Sequence, residues 1–536
     1  MPTPNKPGTG PALRPLSLAD ITAACTPAEA EELSRLFPPE PFSAGGGEDW
    51  LRLAKSLQSR GYEDLALKAC RTCLQFHPTF VPAYLELTEI LFRRKRWDQA
   101  IQGLEIANRL LPGNGKLEGK LALAYHYRQE YGKAQRWIHQ AITHEPDNPE
   151  LYNLLGLIAI KQGQFEVAEI ALKKGLALAP DSPRLYDTLA SLAINRGEWD
   201  PALHYTNRAL SLVPDFPESL LKQAIIYLTT GQVRRGWELY EHRFELNSIT
   251  IRKPPGSEWK GENLRGTRLL VWMEQGLGDA IQYFRYVKAL HSRGARVSLV
   301  VRKPLVPLFR NHPWLDRVIP EQEPLPVYDF HLSVMSLPRF FESDVRARRV
   351  EVPYLFPEES TNGDLLSLIQ QLKAENRPTV GLAWSGNPDH RNDHNRSLKE
   401  SLVAPLVEFN RCRFLLFQFD REILTPALNR FPNAAEILGH YGDTAALLQH
   451  LDLLISVDTS ICHLAGALGR PVWVLLPFPP DFRWGLDQST TEYYPTMRLF
   501  RQRKRGDWPT VIREVKQALE HRYSTGDSCS HEEPRD

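Results

Sequence analysis

The chain has 536 residues, enough for roughly three or four domain-sized units, and its 65 Lys+Arg against 64 Asp+Glu leave a net charge of +1. That balance gives no basic footprint for nucleic acid or for an anionic membrane surface. Six cysteines in so long a chain make no disulfide framework, and no run of about 18 apolar residues offers a membrane span.

The N-terminal stretch MPTPNKPGTGPALRPLS is rich in Pro and Gly and has no apolar segment of the secretory kind. Residues 1–46 therefore read as a disordered or partly helical tail, and the expected compartment is cytoplasmic. From residue 47 a repeat begins. Pro78, Pro112, Pro146, Pro180 and Pro214 are spaced by 34 residues. Twelve residues before each stands alanine: Ala66, Ala100, Ala134, Ala168 and Ala202. Trp97, Tyr131, Phe165 and Trp199 recur fifteen before the later four. Two helices per period explain the pattern. Small residues stand where backbones approach, an aromatic fills the hollow, and proline ends the second helix. Cys70 and Cys73 fit as small packing residues. The pattern resembles the tetratricopeptide repeat, which implies an α-solenoid over 47–250 with a concave groove for a polypeptide. Lys55, Glu89, Asn153, Asp187 and Ser191 are its candidate lining residues, with Asn153, Asp187 and Ser191 the chosen acceptor-groove set.

After Pro254-Pro255 apolar runs alternate with helical stretches, as in parallel sheets. Expected strands are Leu269–Met273, Val297–Val301, Arg317–Ile319 and Phe330–Val334, with helices at Asp279–Arg293 and Leu305–Asn311. Pro353–Asn376 reads as a linker with a hinge helix. The alternation restarts with strands Val380–Ser385, Phe414–Phe419, Leu453–Val457 and Val472–Leu476. Helices are expected at Leu398–Phe409, Thr444–Leu451, Thr459–Leu468 and Thr510–His521, with a polar tail over 523–536. Two Rossmann-like α/β halves, 262–358 and 375–522, would close a cleft at the strand carboxyl ends, the architecture called GT-B among glycosyltransferases.

Chemistry should sit in that cleft. Gly276-Leu277-Gly278-Asp279 follows the first strand, where Gly276 and Gly278 let the backbone approach a ligand. Asp279 reads either as a helix cap or as a general base for an acceptor hydroxyl. Asp458, Thr459 and Ser460 end a strand and open a helix, a place for a diphosphate, with His463 one turn on. Ser385 and Asn387 end another strand at the cleft edge. In the loop HRNDHNRS, Arg396 suits a phosphate by its guanidinium fork or is simply solvated. The spacing of His390 and His394 would suit a metal on a helix, but the segment is Asn/Asp-rich and not helical in character. Arg483 and Trp484 in PFPPDFRW are candidate sugar contacts. No Asp-x-Asp occurs, which argues against a metal-dependent transferase, and no P-loop motif occurs.

The stretches GWELYEHRF, EQGLGDAIQYFRY, VGLAWSGNP, RSL, DTAALL, LDLLISVDTSICHLAGALGRPVWVLLP and YPTMRLFRQ together resemble glycosyltransferase family 9, the heptosyltransferases, in the bacterial form fused to tetratricopeptide repeats. The resemblance implies a metal-independent transferase that needs no cofactor and takes a nucleotide-sugar as substrate. It implies Asp279 as base, and Asp458, Thr459 and His463 as the donor-binding stretch. The family's positive residue near the phosphate has no lysine match here, and Arg396 stands in for it. In some repeat-fused relatives the repeats hold a protein acceptor such as flagellin. The expectation is a glycosyltransferase acting on a protein hydroxyl. Its alternatives are a non-catalytic scaffold that binds a sugar nucleotide and a transferase with a glycan or lipid acceptor.

Overall fold

A computed structural model describes residues 46–246, 253–341, 351–375, 377–390, 392–419 and 422–524. Nearly all of both expected tails lies outside them. The chain parts into two compact units, to Leu192 and from Ala193. The division falls inside the repeat array.

The first unit holds paired helices: α1 (Gly47–Ser59) with α2 (Glu63–Phe76), α3 (Val81–Arg93) with α4 (Trp97–Leu110), α5 (Gly115–Tyr127) with α6 (Tyr131–His144), α7 (Pro149–Lys161) with α8 (Phe165–Leu178), and most of α9 (Pro183–Arg196). The second helices end two residues before Pro78, Pro112, Pro146 and Pro180, as a residue without an N–H donor requires. Ala66, Ala100, Ala134 and Ala168 are fully buried. A Cβ on Gly156 would lie 2.6 Å from Leu172 Cδ2, so a larger residue there would force Leu172 to shift. Cys70 and Cys73 are buried in the core of the first repeats, and burial pushes the Cys73 thiol up to about 11. One feature of the array escapes the sequence pattern. The turn between paired helices carries a positive φ at Gly61, Lys95, Gln129, Gly163, Gly197 and Gly231, again at intervals of 34.

The second unit contains α10 (Trp199–Leu212), α11 (Pro217–Thr229), α12 (Val233–Tyr240) and a 3-10 turn, Glu241–Glu245. Two parallel sheets follow. In the first, β1 (Arg268–Trp272), β2 (Arg296–Val301), β3 (Arg317–Pro320) and β4 (Phe330–Ser333) lie in the order β3-β2-β1-β4. In the second, β5 (Thr379–Ala383), β6 (Arg413–Leu416), β7 (Leu453–Val457), β8 (Val472–Leu476) and β9 (Met497–Arg501) lie in the order β6-β5-β7-β8-β9. The strand order reverses at β1 and at β5, and crevices open beyond the carboxyl ends at such points. β1 and β4 end together, Trp272 beside Ser333, and β5 and β7 likewise, Ala383 beside Ser456. An α-solenoid followed by a two-half α/β module is therefore the architecture.

Several elements differ from expectation. The single helix expected over Asp279–Arg293 is two, α13 (Leu277–Tyr283) and α14 (Val287–Ser292), joined by a 3-10 turn. At the break, the carbonyls of Ile281 and Gln282 accept bonds from Tyr354 OH and Arg285 Nε. The helix expected over Leu398–Phe409 is one turn, Glu400–Val403, then a 3-10 turn, Ala404–Leu406, because Pro405 removes a donor. The hinge helix is α15 (Gly363–Ala374), and α16 (Asp393–Arg396) is one turn in the loop expected to be non-helical. α17 (Tyr441–Leu448), α18 (Ser460–Ala467) and α19 (Trp508–Ser524) follow, the last running into the expected tail. β9 is the strand that the pattern misses.

Candidate functional site

The loop after β1 must turn from a buried strand into α13. Gly276 is the N-cap, with extended backbone, and Asp279 stands in the first turn. Asp279 Oδ2 accepts the Gly276 N–H at 2.8 Å, which ties the loop to its own helix. The carboxylate therefore caps from inside the helix. Its other oxygen, Oδ1, accepts from Arg483 Nη2 at 2.8 Å.

Gly278 stands where α13 meets α18. A Cβ there would lie 2.9 Å from His463 Cδ2 and 3.3 Å from Ser460 Cα. This glycine serves contact between the two lobes. On the other side, Gly466 admits Tyr494 and Met497, whose atoms would lie 2.6 and 2.4 Å from an added Cβ. Ala465, Gly466 and Ala467 are all buried. Arg285 completes the junction: fully buried, it donates to the Tyr493 carbonyl at 2.7 Å and to Tyr354 OH at 3.1 Å.

A cavity of about 660 Å³ opens between the lobes, a size suited to a small ligand. Gly276, Gly278 and Asp279 line it from the first lobe; Ser385, Asn387, Arg396, Asp458, Thr459, Ser460, His463 and Arg483 line it from the second. Ser385 Oγ accepts from Gln418 Nε2 at 2.5 Å, and Asn387 Oδ1 accepts the Asp389 N–H at 2.8 Å. Arg396 is not a free loop cation. Its Nη1 donates to the Asp458 carbonyl at 2.8 Å, and its Nε lies 3.4 Å from Asp393 Oδ1. Thr459 is the N-cap of α18 without a side-chain capping bond. The first N–H groups of that helix thus face the cavity without a side-chain cap, an electropositive end. Ser460 Oγ pairs with Tyr441 OH at 2.5 Å.

His463 is buried and tightly held. Its Nδ1 lies 3.2 Å from Tyr494 OH, and its Nε2 lies 3.7 Å from Asp458 and 3.5 Å from Arg483 Nη1. Burial lowers its pKa, and Arg483 adds to this against Asp458, so the ring is neutral. Burial alone would raise the Asp458 carboxyl, but His463 and Arg483 outweigh it and hold it below the usual range. Arg483 is the hub: Nη2 on Asp279, Nε on Asp481 at 2.8 Å, Nη1 on Gln282 at 3.1 Å. Trp484 departs from its expected role. It is buried and stacks on His463 at 5.3 Å and 15°, behind the imidazole and away from the cavity lining. The indole's flat face matches the ring, whereas Arg483 needs the carboxylates.

Asp458, Cys462 and His463 bring three potential metal-ligand atoms within 4.8 Å of one another. Burial pushes the Cys462 thiol well up, and its Sγ donates to the Thr459 carbonyl. The cation facing Asp458 here is Arg483. His390 lines the cavity, but it precedes the turn that holds His394, so the two do not share a helix face.

Pattern reasoning missed Tyr441, Phe417 and Arg302, which also line the cavity, whereas Asp481 lies in the PFPPDFRW loop singled out above. Phe417 follows β6 directly and Arg302 follows β2, so the ends of those expected strands were the available signal. The groove residues lie in the first unit. Asn153 is 8% exposed, and its Oδ1 has no hydrogen-bond partner among the described residues. Ser191 Oγ donates to the Asp187 carbonyl at 3.2 Å. Burial leaves Asn153 little surface for a ligand.

Comparison with known proteins fits this division. A family model described as tetratricopeptide repeat matches residues 125–192, and one described as glycosyltransferase family 9 (heptosyltransferase) matches residues 424–476. Protein FlbA of Caulobacter vibrioides is 27% identical over 330 residues, 55% of this chain and 54% of FlbA. The general transcriptional corepressor ssn6 of Schizosaccharomyces pombe is 26% identical over 158 residues, 28% of this chain and 14% of that protein. The chain thus spans about half the length of FlbA and a small part of ssn6. The crystal structure of PilW, a type IV pilus biogenesis factor, is similar over 38% of this chain and 92% of its own, at 22% identity and a TM-score of 0.34.

Proposed function

We propose, on the premise that the chain carries tetratricopeptide repeats and a glycosyltransferase family 9 domain, that it is a metal-independent GT-B transferase. It moves a sugar from a nucleotide-sugar to a hydroxyl of a protein acceptor held by the repeats. One observation carries the reading: Asp279 and the uncapped N-terminus of α18 face one cavity, with Arg483 between them. A base and an anion-binding end on opposite walls are what glycosyl transfer needs.

In this reading the acceptor hydroxyl gives its proton to Asp279 as its oxygen attacks the anomeric carbon. The bond from that carbon to the diphosphate oxygen breaks, and the electron pair leaves with the nucleoside diphosphate. The N–H groups of α18 and the Arg483 guanidinium balance the departing charge, the part a metal plays elsewhere. Donor phosphates compete for Arg483, and Oδ1 of Asp279 is released to the incoming hydroxyl. Neutral His463, backed by Trp484, packs beside the diphosphate without adding charge. The repeats support a protein acceptor because such arrays present concave binding surfaces. Among the described residues no helix is long and apolar enough to cross a membrane, and we assign the reaction to the cytoplasm.

The test titrates the full chain with UDP-, GDP- and ADP-sugars and seeks the acceptor by intact-mass comparison of cellular proteins with and without the gene. Asp279→Asn, which weakens the competitor for Arg483, is expected to bind nucleotide at least as tightly as the parent and to transfer sugar about 10²- to 10⁴-fold more slowly. Normal transfer by that variant overturns the assignment. Nucleotide binding without any turnover identifies a scaffold.

A further inference from the structure

The motif GWELYEHRF lies in no expected site, yet the structure places it against both walls of the cleft. Arg243, in the 3-10 turn that ends the repeat array, is 1% exposed. Its Nε donates to Glu274 Oε1 at 3.0 Å, its Nη1 to Glu241 Oε1 at 2.7 Å, and its Nη2 to Ser336 Oγ at 2.8 Å. Glu274 Oε2 accepts from Ser333 Oγ, on the strand beside β1. Gln275 Nε2 donates to Tyr240 OH at 3.0 Å. Glu274 and Gln275 are the two residues before Gly276. At the same time Trp237 and Tyr240 meet the ring of Phe482, edge-on, at 5.7 and 5.9 Å. Phe482 is the neighbour of Arg483.

We infer that α12 and the turn after it form a positioning clamp: Arg243 and Tyr240 fix the loop that carries Asp279, while Trp237 and Tyr240 seat Phe482 and so the loop that carries Arg483. One short segment thereby sets the separation of the carboxylate and the guanidinium, which otherwise belong to different lobes. A bare core would not need this chemistry. A buried ion pair adds little net stability over apolar residues of the same volume, but its fork geometry fixes direction. The side chains are positioning residues, since none lines the cavity. The inference rests on the transferase reading only for what the positioning serves.

The experiment replaces the pair by Arg243→Met with Glu274→Leu in the full chain, an apolar substitute of similar volume, with Glu241 still held by Ser336 Oγ and Arg339. Hydrogen exchange over residues 274–280 is expected to quicken at least tenfold while β1 stays protected. With the sugar donor found above, kcat is expected to fall at least tenfold with the donor KM within threefold. Arg243→Lys, which keeps the charge and loses the fork, should fall between. Unchanged exchange over 274–280 in the folded double variant overturns the clamp, as does quickened exchange with unchanged kcat. If the parent transfers no sugar, the exchange result alone decides the clamp, and only the transferase reading is lost.

Discussion

Gly278→Ala tests the lobe contact without knowledge of any substrate. The new Cβ would meet His463 Cδ2 at 2.9 Å and Ser460 Cα at 3.3 Å. Neither neighbour can give way. Ser460 contributes backbone, and the imidazole is 2% exposed, stacked on Trp484 and tied to Tyr494 OH. α13 and α18 must therefore part by a few tenths of an ångström, an overpacking that costs about 1–3 kcal/mol. Against this, alanine favours a helix over glycine by up to about 1 kcal/mol. Gly132→Ala calibrates that gain, since Gly132 is also the second residue of its helix and has nothing within 4 Å of an added Cβ. Thermal unfolding of the full chain should rank Gly132→Ala above the parent and Gly278→Ala below it by about 1–2 kcal/mol. Titration with UDP, GDP and ADP should show weaker binding for Gly278→Ala alone. If Gly278→Ala melts at or above the parent and binds nucleotide equally, the close approach of the lobes is refuted.

Two further outcomes concern the repeats. Lys95 and Gln129 hold φ of 55° and 60° at turn positions where the other repeats carry glycine. Lys95→Gly and Gln129→Gly should each stabilise by about 0.5–1 kcal/mol in chemical denaturation, and a loss would show that these side chains earn their strain. Burial pushes His126 down to about 4 from an ordinary 6.5. The unfolded chain then binds more protons than the folded one between these values, so stability is lost as pH falls through that window. Between pH 7 and 4.5 the parent should lose about 2 kcal/mol more than His126→Phe; parallel stability curves would refute the buried neutral ring.

How much of this was written in the sequence depends on how local its cause is. The prolines at intervals of 34 fix helix ends by removing a donor, a one-residue effect, and the helices stop where they imply. Strand ends were legible because a buried parallel strand is a continuous apolar run, as at Leu453–Val457. The short edge strand Met497–Arg501, which exposes Arg498, lacks such a run. The positive-φ turn was hidden where Lys95 and Gln129 break the glycine pattern, because a side chain can occupy that conformation at modest cost. The site was legible as two glycine- or hydroxyl-bearing loops, each readable alone. Their relation was not, since Arg483 and Asp279 are 204 residues apart and meet only through two folded lobes. That meeting also explains why an acid stands at a helix mouth where phosphate-binding folds put none. Asp279 spends one oxygen on its own helix and the other on the cation of the opposite wall. A carboxylate so divided is held at both oxygens, yet it can surrender only Oδ1, because Oδ2 holds the loop in shape. An incoming anion that competes for Arg483 would therefore expose one defined oxygen of a residue that lines the cavity. Under the proposed function, donor binding and the arming of the base would be a single electrostatic exchange.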